Sequence, residues 1–151
     1  MQKYAKNIKI QTREAFNFLR IKNYICQKWT KYWKMNAEEI RIYCLKKAET
    51  TESFPFDETT LVFKVKNKMF ALFNLEEPLS INLKCEPEKA IELREHYPSV
   101  LPGYHMNKQN WNTVMLDETI SDNLLKQWID DSYWLVVETL PKKDRAGLER
   151  I

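Results

Sequence analysis

The sequence predicts an α+β fold: an antiparallel β-sheet with helices packed on one face, plus an N-terminal amphipathic helix. Three observations predict it. Short runs between Leu61 and Cys85 alternate with the period of two that a half-buried strand requires. Stretches before and after them place apolar residues at helical spacing. Lys66-Asn67-Lys68 between two of the runs suits a hairpin turn, because Asn tolerates positive φ.

Composition sets the limits. With 151 residues, 44% hydrophobic and 13% aromatic, the chain suits one folded domain with its own core. No apolar run approaches the roughly 20 residues that span a bilayer, and Met1-Gln2-Lys3-Tyr4 does not open a signal peptide. Cys26, Cys44 and Cys85 are odd in number and widely spaced, which fits reduced thiols in the cytoplasm. Gly103 and Gly147 are the only glycines. Phosphate-cradling loops need several, so P-loop and dinucleotide folds are excluded.

The charge is unevenly distributed. Residues 1–34 hold nine Lys/Arg against Glu14 alone, a net of +8, whereas residues 35–151 carry 15 basic and 20 acidic residues, a net of −5. The mildly basic pI belongs to the extension, so total charge says nothing about nucleic-acid binding by the domain.

Within residues 1–34, Phe18, Ile21, Ile25, Trp29 and Tyr32 recur at helical spacing, with Thr12 as a candidate cap and Glu14 in the first turn. A basic amphipathic helix suits nucleic acid, an anionic membrane surface or a groove on a partner. Docking of its apolar stripe on the domain itself is an equal alternative, and a natural start at Met35 is a third. From Met35, Asn36 with Glu39 reads as a capping box opening a helix to about Ala48, with Ile40, Tyr43, Cys44 and Ala48 buried. Glu52–Asp57 reads as an ordered loop in which Pro55 excludes helix.

The strands follow. Leu61, Phe63 and Val65 share one face, with Val62, Lys64 and Lys66 on the other. Met69, Ala71 and Phe73 alternate with Phe70 and Leu72, and a strand from Ser80 to Cys85 points Asn82 and Lys84 away from Ile81 and Leu83. Pro87 opens a helix ending near Tyr97. Leu101–Lys108 is expected as a loop leading to a strand from Trp111 to Leu116. Ser121 and Asp122 open a last helix to about Thr139, with Leu125, Trp128, Ile129, Leu135 and Val136 as its buried stripe. Pro141 ends it.

Several segments, in this order and spacing, resemble the MmcQ/YjbR family. They are Phe54-Pro55-Phe56, Thr60-Leu61-Val62-Phe63-Lys64-Val65, Lys68-Met69-Phe70-Ala71 and Ile81-Asn82-Leu83-Lys84-Cys85. Pro102-Gly103-Tyr104-His105-Met106-Asn107-Lys108, Trp111-Asn112-Thr113-Val114, Asp131-Ser132-Tyr133 and Leu140-Pro141-Lys142-Lys143 complete them. The resemblance covers essentially Met35 to Leu148 and implies a CyaY-like or secretion-chaperone-like fold. It also implies a DNA-binding role, described in terms of paired winged elements. The hairpin Lys66-Asn67-Lys68 departs from it, since the family often has glycine there. Residues 1–34 have no counterpart in it.

No enzyme activity, catalytic residue, metal site or cofactor is expected. His96 and His105 lie near no other ligand type at metal spacing. His105, Asn107 and Lys108 form the most polar cluster in an apolar neighbourhood; they either bind an anion or satisfy loop backbone groups, with the second reading preferred. For DNA, Lys64, Lys66, Lys68, Lys84 and Lys108 fall on strands and turns, while acids concentrate on helices. Lys64, Asn82 and Lys84 on an open sheet face would make it basic, and Trp111 would stack on a base, although lysines also guard strand edges and Trp is more often core. Such binding would be weak and salt-dependent, dominated by the extension with Lys22 and Lys28. The alternative partner is a protein or small ligand on the same open face. An exposed apolar patch around Phe54, Phe56 and Phe70 would mark a protein partner, a continuous basic groove nucleic acid, and a pocket with His105 facing inward an enzyme.

Overall fold

The computed structural model describes residues 35–148, and the chain divides between Lys34 and Met35. The helix expected through Phe18 and Tyr32, with Lys22 and Lys28, lies outside the described residues.

Helix α1 (Ala37–Leu45) opens on the expected capping box. Asn36 Oδ1 accepts from Glu39 N at 2.9 Å, and Glu39 Oε2 accepts from Asn36 N at 2.8 Å, so two of the helix's orphan donors are satisfied reciprocally. It stops at Leu45, short of Ala48, and Glu49 at φ 55° turns the chain into β1 (Thr50–Ser53). That strand corrects the loop expected from Glu52. Its residues lack apolar alternation because it is a sheet edge, held by pairing with β2 (Thr60–Val65) from Thr50↔Val65 to Ser53↔Val62.

A two-residue turn joins β2 to β3 (Lys68–Asn74), with Lys66 at φ 46° and Asn67 at φ 68°. Positive φ at both positions is the primed geometry that follows strand twist. The β2–β3 ladder then contains a bulge: Phe63 pairs with Ala71 and Lys64 with Met69, so Phe70 is the extra residue. The alternation expected along this strand is corrected there. Phe70, Ala71 and Phe73 all enter the main core, while Met69 and Leu72 belong to a second cluster with Val62 and Trp111.

Next come β4 (Ser80–Lys84), α2 (Pro87–His96), β5 (Val100–Pro102), β6 (Trp111–Met115), α3 (Asp122–Glu138) and the short α4 (Lys142–Arg145). The sheet runs β1-β2-β3-β4-β6-β5 with every neighbouring pair antiparallel. Leu101 and Pro102, expected in a loop, form most of edge strand β5, where proline's missing N–H does not interrupt the sheet.

Ser121 caps α3, accepting from Leu124 N at 3.3 Å. The buried stripe of α3 is Leu125, Trp128, Ile129, Ser132, Tyr133, Val136 and Val137. Leu135 lies beside this stripe, half-buried, and Ser132 and Tyr133 take the inward positions expected of it. Tyr133 meets Phe70 edge-on at 5.3 Å and donates to Ala48 O at 2.7 Å. Ser132 bridges the bulge. The pairing of Ala71 with Leu83 would bring Phe70 opposite Lys84 next, but the Ser132 hydroxyl accepts from Lys84 N at 2.8 Å and donates to Phe70 O.

Helix α1 is tied to α3 where Tyr43 Oη donates to Asp130 at 2.9 Å and Lys47 pairs with the same carboxylate. Among the described residues no helix is long and apolar enough to cross a membrane.

Candidate functional site

The sheet face opposite the main core carries a groove of about 870 Å³. Register defines its floor. Leu72, Asn82, Thr113 and Leu101 pair in one row across β3, β4, β6 and β5, and Asn74, Ser80 and Met115 form the row beside it. Residues paired in this way point to the same side of a pleated sheet.

Two loops make the walls. On one side, the Asp57 carboxylate accepts from Thr59 N at 2.8 Å, Thr60 N at 2.5 Å and Thr60 Oγ1 at 2.9 Å. These bonds, led by the Thr59 amide, hold the Asp57 carboxyl below the usual carboxylate range and fix Phe56 at the rim, 64% exposed. On the other side, Gly103 N donates to Trp111 O at 2.9 Å, and Tyr104 N to Thr113 Oγ1 at 2.9 Å. Asn82 Nδ2 donates to Tyr104 O at 3.2 Å while Thr113 Oγ1 donates to Asn82 Oδ1. The polar pair of the floor therefore anchors the wall above it. Gly103 permits this close approach, since a Cβ there would lie 2.8 Å from Trp111 Cβ and 2.9 Å from Trp111 O. Behind the wall, Arg94 donates to Asn112 Oδ1 at 2.7 Å and to the backbone carbonyls of Lys108 and Trp111.

His105 lines the groove, the neighbourhood an enzyme reading calls for, but it is exposed, in the left-handed region at φ 55°, with its ring 4.0 Å from that of Tyr104. Asn107 Oδ1 accepts from Gln109 N at 2.9 Å, the loop-satisfying role preferred from sequence. Lys108 is exposed.

Lys64, Asn82 and Lys84 do share the open face by register, with Lys64 paired to Met69 and Lys84 to Trp111. Trp111 is no stacking platform: it is 8% exposed, covered by Met69 and Met106 against Val62 and Leu72. Lys66 is paired with Glu49 at 2.6 Å, and Lys68 Nζ donates to Thr139 O at 2.9 Å, at the C-terminal end of α3. Among the described residues no lysine or arginine lines the groove, and the charged ones there are Asp57 and Glu76. Of the apolar patch expected from Phe54, Phe56 and Phe70, the first two are exposed and Phe70 is fully buried. Among the described residues no group of three or more His, Cys, Asp or Glu could hold a metal.

Sequence reasoning missed Asp57, Arg94, Tyr104 and Thr113. Asp57 was legible in principle, since Asp followed at two and three residues by Thr59 and Thr60 is a side-chain-to-backbone turn pattern. Thr113 and Arg94 act through partners distant in sequence and carry no local signal.

A family model described as YjbR matches residues 45–135. The chain is 33% identical over 118 residues to the protein YjbR of Escherichia coli K12, covering 78% of this chain and all of that protein. It is 44% identical over 93 residues to YbdF of Escherichia coli O157:H7, covering 61% of this chain and 76% of YbdF. A crystal structure of a Deinococcus radiodurans protein with a domain described as DUF419 superposes with a TM-score of 0.71 at 41% identity, over 75% of this chain and 87% of that one. A Pseudomonas syringae crystal structure gives 0.59 at 29% identity, over 67% and 98%.

Proposed function

The chain belongs to the YjbR family, and on that premise we propose that its domain is a non-enzymatic binding module taking its ligand in the groove on the open sheet face. The lining of the groove supports this. A floor that sets Leu72, Leu101 and Met115 among Asn74, Ser80 and the internally bonded Asn82–Thr113 pair, between two hydrogen-bonded walls, bounds about 870 Å³, within the roughly 300–1,000 Å³ of ligand sites. Among the described residues the thiols argue against covalent catalysis by cysteine: burial pushes Cys44 up to about 12 and also raises Cys85, the reverse of an activated nucleophile. Cys44 and Cys85, free among the described residues, suit a reducing compartment and support a cytoplasmic location.

A DNA-binding role fits residues 1–34 better than the groove. Affinity for duplex DNA comes mainly from neutralising phosphates, whereas the groove carries Asp57 and Glu76 and the domain sequence is net −5. Weak, salt-dependent DNA binding by the full chain is therefore ascribed to the +8 segment.

The test is an NMR titration of the ¹⁵N-labelled full chain with a 20-base-pair duplex and with a library of small organic fragments. Fragments are expected to shift the amides of Asn82, Leu101, Gly103 to Met106 and Thr113, and the duplex to leave them unmoved. Duplex-induced shifts along β2 and β4 that vanish in a Lys64→Ala, Lys84→Ala double variant would instead make the sheet a DNA-binding surface.

A further inference from the structure

We infer that the groove accepts an extended, basic and apolar segment of a partner protein, an inference that rests on the groove being the ligand site. Three observations on the groove point to this class. The trough is open to solvent and is lined from both flanking loops as well as five strands, β2 to β6. An enclosed pocket covers most of a small ligand; an open one leaves it largely wet, whereas a protein segment brings further contacts beyond the rim.

The second observation is where apolar surface is left uncovered. Phe56, Leu101 and Tyr104 are 64%, 45% and 69% exposed, and all three line this groove. Large side chains standing in water around one concavity, above Leu72 and Met115, fit apolar side chains of a macromolecular partner.

Charge is the third. Asp57 is held anionic by its amide and hydroxyl donors, Glu76 is exposed on the same lining, and among the described residues no lysine or arginine opposes them there. A lysine or arginine among the apolar residues of the segment is complementary to that lining, and phosphate or carboxylate is not.

The segment lies in the trough by its side chains and does not extend the sheet at β5. The outward-facing donor of that edge, Val100 N, is already bonded to Tyr97 O at 2.9 Å, and Pro102 has no donor to offer.

The experiment measures fluorescence anisotropy of labelled nonapeptides with the full chain. One peptide alternates lysine and leucine about a central phenylalanine, a second has glutamate for lysine, and a third has serine for the apolar residues. The lysine–leucine peptide is expected to bind. Glu76→Lys and the Phe56→Ser, Tyr104→Ser pair are each expected to weaken it tenfold or more, with unchanged melting temperatures because all three side chains are exposed. If Glu76→Lys has no effect, or the serine-substituted peptide binds as well, the inference is overturned. Tighter binding of the glutamate peptide or of a duplex, lost in the Phe56→Ser, Tyr104→Ser variant, overturns the ligand class and leaves the groove as the site. Absence of lysine–leucine binding at 1 mM also overturns it, and the fragment titration then decides whether the groove is a site at all.

Discussion

Replacing Ser132 by alanine tests how the sheet is locked to α3. The hydroxyl is fully buried and serves two backbone groups that the Phe70 bulge leaves without each other, the carbonyl of Phe70 and the amide of Lys84. A buried backbone group left unsatisfied costs on the order of 1–3 kcal/mol. With two groups exposed to that loss, Ser132→Ala should destabilise the domain by about 2–6 kcal/mol. At about 4 °C per kcal/mol for a domain of this size, the melting temperature should fall by roughly 8–24 °C. Urea unfolding followed by circular dichroism reads the change as a lower midpoint at unchanged m-value. Hydrogen exchange adds a local reading, because the Lys84 amide should lose protection beyond the global effect. A loss under about 0.5 kcal/mol with Lys84 still protected would refute the reasoning. It would mean that β3 and β4 close directly on each other once the hydroxyl is gone.

Other consequences follow from the same contacts. Gly103→Ala forces a Cβ against Trp111 Cβ and O at 2.8 and 2.9 Å, so it should cost about 1–3 kcal/mol and red-shift tryptophan emission as the 103–106 wall lifts. Asp57 has a folded-state pKa lowered by Thr59 and Thr60. Its stabilisation is present above the ordinary carboxylate value near 4 and is lost as pH falls through the lower folded value, so Asp57→Asn should flatten the stability profile below about pH 4. Cys44 is completely buried and its thiol is pushed up to about 12. Iodoacetamide at pH 8 should therefore leave Cys44 unmodified in the folded chain and label it in urea, as read by peptide mass spectrometry.

The parts of this fold legible in the sequence are those whose cause is local. Asn36 with Glu39, Pro87 and Ser121 each start a helix through chemistry contained within one turn, and Asn67 marks the hairpin for the same reason. The edge strands were not legible. Thr50–Ser53 and Val100–Pro102 are four and three residues long and exist because an interior strand offers them a ladder. The face of each lysine followed from strand period, but its availability did not. Glu49 is 17 residues from Lys66 and Thr139 is 71 from Lys68, and those contacts leave only part of the expected basic surface free. The same holds for Trp111, whose cover, Met69, reaches it from a strand on which sequence period assigned Met69 to the other face.

That reassignment of Met69 links the backbone of the sheet to the chemistry of its open face. One extra residue in β3 sends Phe70 into the core beside Ala71 and turns Met69 outward. Ser132 makes the irregularity tolerable by satisfying the carbonyl and amide it separates. Met69, together with Met106, then covers Trp111 and builds an apolar island at the end of the face where Lys64 and Lys84 stand. On the groove side of that island the charged lining is Asp57 and Glu76. Without the bulge, the register would place Phe70 on the open face and Met69 in the core, and the island would be rebuilt around an aromatic ring. The division of the face into a lysine end and an acidic groove is therefore a property of strand geometry as much as of composition, and net charge does not reveal it.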